Sequence, residues 1–318
     1  LAEAPGAREV IEEEPLKGDA GAVHNRALSD LNQVREKFRL ANTLCCQPPG
    51  SVLRRASYQH AAIQHCRQYL DEVLKEPHQV VVAMGVTAIE SMLPVEKPRV
   101  EDFHGTIQRD RTDRFWVVPT YHPSHINRGA WNLYRTFQWD IERALDLVDE
   151  LGATGKVALD SDSWELIVDP DPEWFGRWVD EILLQPPEEV WLAVDTETAM
   201  KLHRKQDEGE LTARDVPGEL LRINFGVRED QGVTVPAVGP YMFHVKRLLE
   251  FPCVKGFWHE KFDMQVMREA QLGVEGWRLD FMWAWHVLQS DVPRGLGFVS
   301  PFYIKAGAWK HLAASQPG

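Results

Sequence analysis

The chain has 318 residues, 44% of them hydrophobic and 26% charged, which is too long for a single domain of the commonest size and suits two domains with separate cores. Its formal net charge of −13 excludes a uniformly basic surface, so any grip on phosphate has to come from local groups of Lys and Arg. Four cysteines are too few for a disulfide framework, and no apolar stretch approaches the roughly 18 residues that cross a bilayer, so a cytoplasmic setting without a membrane partner is expected.

In chain order, Val34–Leu40 reads as a strand-like run and His60–Leu74 as a helix, with Ile63, Cys66, Leu70 and Val73 at helical spacing. Val80–Met84 is a buried strand ending at Gly85, Val86–Met92 the following helix, and Phe115–Pro119 a further strand. This alternation predicts parallel strands joined by crossover helices. Trp131–Leu151 is predicted as a long amphipathic helix, with Leu133, Phe137, Ile141, Leu145 and Val148 inward and Gly152 as its stop. The breaker-rich Gly152-Ala153-Thr154-Gly155 then marks a boundary between residues 1–152 and 153–318. Residues 1–152 hold 18 Lys and Arg against 22 Asp and Glu, so the second half carries most of the net negative charge.

Beyond the boundary, Trp164–Val168 reads as a strand. Asp171 and Pro172 read as the N-cap and first position of a helix that turns Trp174, Trp178 and Ile182 to the core. The run Val190–Val194 leads into Asp195-Thr196-Glu197, and Leu221–Phe225 is another strand. The polar residues 201–219 form an excursion beside that site. On a strand, residues i and i+2 face one side, so Asp195 and Glu197 point together, and a third carboxylate, Asp263, follows in Lys261-Phe262-Asp263. Carboxylates of this kind suit Mg²⁺ or Mn²⁺, and two such ions are the usual apparatus for phosphodiester cleavage. From the spacing alone, a solvated strand end remains the other reading.

The order of these segments from about Trp164 to Lys310 resembles the 3′–5′ exonuclease domain of family A DNA polymerases, within the DEDD exonuclease superfamily. Besides Asp195-Thr196-Glu197, the resemblance is carried by Gly256–Asp263, by Leu279–Leu288, and by Pro293–Phe298 through Trp309-Lys310, which look like polymerases of phages. It implies a ribonuclease H-like α/β fold and makes Asp195, Glu197 and Asp263 metal ligands. His259 stands where the family has Asn. A third motif, Tyr-x-x-x-Asp, would follow the Trp-Lys segment and is not reached by Gly318, so weak or absent exonuclease activity is expected. The opening Leu1-Ala2-Glu3 and this missing motif read as truncation at both ends of a longer protein that also carries a polymerase domain.

Three segments of the first half resemble the uracil-DNA glycosylase superfamily, family 4 above all. They are Glu3–Glu9 with Pro15–Gly18, Asn42–Gly50, and Pro119–Ser124. The resemblance implies a three-layer α/β/α domain with a parallel sheet. Asn42 would read the uracil edge, His122 would donate to the base as charge develops, and Glu3 would lie near the sugar. Pro5, Gly6, Leu16 and Ser124 would line the pocket, Leu16 replacing the family's stacking Phe. The same resemblance makes Cys46 and Cys66 half of a four-cysteine iron–sulfur site, complete only in a full-length protein.

Together these readings predict a DNA repair and replication protein of a bacterial or phage-infected cell. It would remove uracil from DNA and handle a single strand or primer 3′ end through the exonuclease domain. Two alternatives stay open: a glycosylase-like domain that binds without cleaving, and an exonuclease for RNA ends with the first half as scaffold.

Overall fold

The computed structural model describes residues 1–75, 79–199 and 218–309. They fall into two units, Leu1–Asp160 with Asp291–Gly318 (unit 1) and Ser161–Ser290 (unit 2).

Unit 1 begins in extended pairing. The Leu1 ammonium donates to the Val82 carbonyl at 2.8 Å, the Met84 amide donates to Leu1 O at 2.9 Å, and Ala2 bridges Asn42 in parallel. Helices α1 (Ala7–Glu12), α2 (Asp19–Asp30) and α3 (Gln59–Val73) follow. The β-branched run Val80-Val81-Val82 then forms strand β1 (Val80–Met84), with α4 (Val86–Met92) directly behind it. Strands β2 (Gln108–Arg109) and β3 (Trp116–Thr120) complete a sheet in the order β1-β3-β2. Residues 34–40 form no strand, only a 3₁₀ turn at Arg35–Lys37.

The sheet is not all-parallel as predicted. β1 and β3 are parallel, but β2 pairs antiparallel with β3. The reversal is made by Asp110, whose carboxylate accepts from the Thr112, Arg114 and Phe115 amides at 3.0, 2.6 and 2.8 Å and folds the chain straight back. Alternation along β1 sends Val81 and Ala83 to one apolar cluster with Leu70, Ile89 and Met92, and sends Val82 and Met84 to another with Leu28, Phe137 and Ile141. Helices therefore cover both faces of the sheet.

The short α5 (Pro123–Asn127) leads to α6 (Tyr134–Thr154). This helix runs through Gly152 and stops at Gly155, which takes the left-handed conformation (φ 69°) and donates its amide to Leu151 O. Its buried stripe is Phe137, Ile141, Ala144 and Leu147, while Val148 is 43% exposed. The stripe follows the helical pitch more closely than a strict four-residue step would.

Unit 2 contains β4 (Glu165–Val168), α7 (Pro172–Leu183), β5 (Trp191–Thr198), β6 (Leu220–Arg228), β7 (Gln231–Pro236), α8 (Tyr241–Glu250), β8 (Val254–Phe257), α9 (Glu260–Glu269), β9 (Arg278–Asp280) and α10 (Phe281–Leu288). Its sheet runs β4-β7-β6-β5-β8-β9. β7, β6 and β5 are antiparallel neighbours, and β8 and β9 continue parallel to β5. Asp171 caps α7 by accepting from the Glu173 and Trp174 amides at 2.8 and 3.3 Å, so that Phe175, Trp178, Val179 and Ile182 enter the core. Of the polar residues 201–219, all but Gly218 and Glu219 lie outside the described residues.

The last helix, α11 (Leu296–Val299), belongs to unit 1. A single boundary after Gly152 therefore does not describe the chain, because a C-terminal segment returns to the first unit. Buried His104 explains why. Its Nδ1 lies 3.1 Å from Asp140 Oδ1, its Nε2 donates to the Phe298 carbonyl at 2.8 Å, and its ring packs on Phe298 with centroids 4.4 Å apart. Thr120 Oγ1 donates to the other Asp140 oxygen at 2.6 Å, and burial pushes that carboxyl up from its ordinary value. Arg143 donates to the carbonyls of Pro301 and Ile304 at 2.6 and 2.7 Å.

The Asp171 cap is testable. Asp171→Ala should lower the stability of unit 2 by about 1 kcal/mol, while Asp171→Ser stays close to wild type. Thermal melts of the two variants would show it, and equal midpoints for Ala and wild type would contradict the assigned cap.

Candidate functional site

The predicted glycosylase residues gather at the carboxyl ends of β1 and β3. After Met84 the chain turns at Gly85 (φ 85°), whose amide donates to Thr120 O at 2.8 Å. A Cβ at Gly85 would come within 2.9 Å of His122 Cβ, so glycine is required both by the backbone angle and by the close approach. His122 is the N-cap of α5, and its Nδ1 accepts from the Ser124 amide at 3.1 Å and lies 2.8 Å from Ser124 Oγ.

This contact fixes the imidazole chemically. An amide N–H can only donate, so Nδ1 is bare and the ring proton of the neutral form sits on Nε2. His122 Nε2 is buried and has no hydrogen-bond partner among the described residues. Burial, helped by nearby Arg128, pushes the imidazole down to about 4. At neutral pH it is an uncharged donor held in place with nothing to donate to.

Glu3 and Asn42 come to the same end of the sheet through backbone pairing. Thr43 N donates to Ala2 O and Leu44 N to Glu3 O, both at 2.9 Å, which sets Glu3 and Asn42 on neighbouring strands. Thr87, at the start of α4, donates its hydroxyl to Glu3 Oε2 at 2.7 Å. The Asn42 carboxamide makes no hydrogen bond among the described residues and is half-buried. Leu16 is 5% exposed and packs with Ala2, Val23, Met84 and Ile126, so it belongs to the apolar floor. Ser124 acts on His122 through its amide and hydroxyl, a positioning contact.

Two residues with no predicted role hold the loops. Glu9 accepts from the Gly6 amide at 3.0 Å and from the Gly18 amide at 3.1 Å, tying the Pro5-Gly6 turn to the Pro15–Gly18 segment. Arg35 donates to Leu16 O at 2.9 Å and to Pro15 O. The Gly6-x-x-Glu9 spacing resembles a capping box and was a readable sign of the first, whereas nothing local marks Arg35.

The cysteines near Leu44 lie as follows. The Cys45 amide donates to Cys66 Sγ at 3.5 Å, and burial, with the Cys66 and Cys46 sulfurs adding to it, pushes the Cys45 thiol up. Cys66 is buried beside Leu44 and Leu53 as a core residue. Among the described residues no three His, Cys, Asp or Glu side chains could hold a metal ion, and an iron–sulfur cluster takes four ligands.

In unit 2, burial alternates along β5, so that Leu192, Val194 and Thr196 point inward while Asp195 and Glu197 share the exposed face. Asp263, on α9, is buried, and its Oδ1 accepts from the Thr196 amide at 3.0 Å and hydroxyl at 2.6 Å. Asn224 donates to Asp195 Oδ2 at 2.9 Å. Burial pushes Asp263 up to about 7, with the charge of Asp195 adding to the shift and the Thr196 hydrogen bonds opposing it. Asp195 thus lies close enough to Asp263 for its charge to act on it, while Glu197 shares the exposed face of β5 with Asp195. His259 takes the left-handed conformation (φ 83°) before α9, a backbone position that Asn tolerates well.

Comparison with known proteins bears on the first unit. Residues 1–146 match the model of the uracil DNA glycosylase superfamily. Glu3, Asn42 and His122 all lie inside this uracil DNA glycosylase superfamily domain. No curated protein matches the chain. Among solved structures, RNase D of Trypanosoma brucei is 14% identical over 37% of this chain and 38% of that one, with a TM-score of 0.29, too low to define a shared fold. No helix among the described residues is long and apolar enough to cross a membrane.

The buried histidines set a pH dependence. Burial holds His24 and His122 down to about 4, while the unfolded chain binds those protons near 6.5. The unfolded state therefore gains protons first, and stability should fall as pH drops from about 6.5 to about 4, with no contribution above that window and no further loss below it. Denaturant titrations across this range should show a shallower decline for His122→Gln than for wild type. An identical slope would mean that the folded imidazole is charged.

Proposed function

We propose that the glycosylase superfamily domain excises uracil from DNA. The observation that carries this reading is the neutral His122, with Nε2–H buried, oriented by Ser124 and lacking a partner. A uracil flipped out of its strand presents an N3–H donor and O4 acceptor to the free Asn42 carboxamide, which offers one group of each kind. His122 Nε2–H then donates to O2. As the C1′–N1 bond breaks, its electron pair moves onto the base and O2 gains negative charge, which the preplaced donor stabilises without giving up its proton. The Glu3 carboxylate, held by Thr87, faces the positive charge left on the sugar and orients the water that adds at C1′; the proton this water releases neutralises the departing uracil anion.

Leu16 favours a second reading. Buried in the floor without an aromatic face, it gives a base less to stack on, as suits a domain that senses uracil without cleaving it. Abasic-site formation on a uracil-containing oligonucleotide separates the two. We expect product, reduced about 10²–10³-fold by His122→Ala and lost in Asn42→Ala. Uracil-dependent binding without product would favour the sensor.

For unit 2 we infer a module of the DEDD exonuclease type that holds a strand end, supported by the carboxylates on β5 and by three antiparallel strands continued by two parallel ones. With Asp263 held near 7 by burial and its Oδ1 engaged by the Thr196 amide and hydroxyl, hydrolysis should be weak or absent. Incubation of a labelled single strand with Mg²⁺ should leave it nearly intact. A ladder of products abolished by Asp195→Ala would show instead that the three carboxylates do close on an ion.

A further inference from the structure

We propose that a basic groove on unit 1, separate from the base site, binds the phosphates of the nucleic-acid strand. The groove has a volume of about 1060 Å³ and lies between residues 54–67 and residues 86–98, with Arg111 at one side. That exceeds the roughly 300–1,000 Å³ of a small-molecule pocket and suits a length of polymer.

Its charge runs against that of the whole chain. Arg54, Arg55, Arg67, Lys97 and Arg111 line it, facing two carboxylates, Glu90 and Glu96. Arg67 is paired with Asp71 at 2.8 Å, but Arg111 reaches only the backbone carbonyls of Glu90 and Leu93, at 2.5 and 2.8 Å. Arg54 and Arg55 are exposed and make no ion pair among the described residues. In a chain of net charge −13, this local surplus is where a polyanion can be held.

Ser91 is an independent sign. It lines the groove at 3% exposure, and among the described residues its hydroxyl has no hydrogen-bond partner. A buried donor left open is unfavourable, and a phosphate oxygen would satisfy it. Position adds the identity of the polyanion. Val86 lines the groove and sits between Gly85, which abuts His122, and Thr87, which holds Glu3. The groove thus starts where the base site ends, and naming its occupant as the same strand rests on the glycosylase reading.

Anisotropy of a labelled, uracil-free oligo-dT with the 318-residue chain, across a series of salt concentrations, tests it. Arg54→Ala/Arg55→Ala should bind about tenfold more weakly and lower the salt slope by about 1.4, since each single-strand phosphate contact contributes about 0.7. Lys97→Ala should act in the same direction, and His122→Ala should bind as wild type does. Unchanged affinity and slope in both groove variants would overturn the proposal, as would polyglutamate displacing the oligonucleotide at equal charge, which would point to an acidic protein instead. Uracil release from a short oligonucleotide is read separately: its absence in wild type sinks the glycosylase reading and leaves the groove measurement standing.

Discussion

A single hydrogen bond, from the Ser124 amide to His122 Nδ1, decides the tautomer of the buried imidazole on which the proposed chemistry depends. It removes one tautomer, orients the ring and leaves Nε2–H as the free end, while burial keeps the whole group uncharged. Much of the nearby structure can be understood as support for that arrangement. Gly85 yields the space against the ring, Pro123 starts the short helix whose first turn carries Ser124, and parallel β1 and β3 bring both turns to the same edge. A donor fixed in advance needs no reorganisation when charge forms beside it, which is how such groups contribute most to rate.

The loops obey a similar logic. Carboxylates serve as folding devices in three places: Glu9 ties Gly6 to Gly18, Asp110 reverses the chain into β2, and Asp171 starts α7. Each satisfies amides that would otherwise face no acceptor, and each sets the direction of an element that follows. Part of the chain's acidity therefore serves to position backbone and is explained by the fold.

Local chemistry made a good deal of this readable in advance. The runs Val80–Val82 and Trp116–Val118, the Gly85 turn, the α3 stripe and the Asp171-Pro172 start all depend on neighbours within a few residues, and all form as expected. Legibility ended where distant residues decide. The direction of β2 depends on an Asp110 turn, the end of α6 on packing that carries it past Gly152 to Gly155, and the roles of Arg35 and Thr87 on partners 19 and 84 positions away. At the site, Glu3, Asn42 and His122 were legible as types, and backbone pairing sets Glu3 beside the Asn42 segment. Asp195 and Glu197 were legible as a spacing on one strand face, whereas the hold of Thr196 on Asp263 depends on a residue 67 positions away.

The return of residues 291–309 to the first unit affects how the protein is made. His104 and Arg143 wait for acceptors on Phe298, Pro301 and Ile304, which leave the ribosome only after all of unit 2. Until then the buried polar groups around Asp140 lack their last partner, so the earlier-synthesised unit should be the later one to consolidate, in contrast to the usual N-terminal-first order of domain folding. Closing so long an intervening stretch adds little entropy over a shorter one, since the penalty grows only with the logarithm of length. The delay is thus one of timing during translation and carries little thermodynamic weight once the chain is complete.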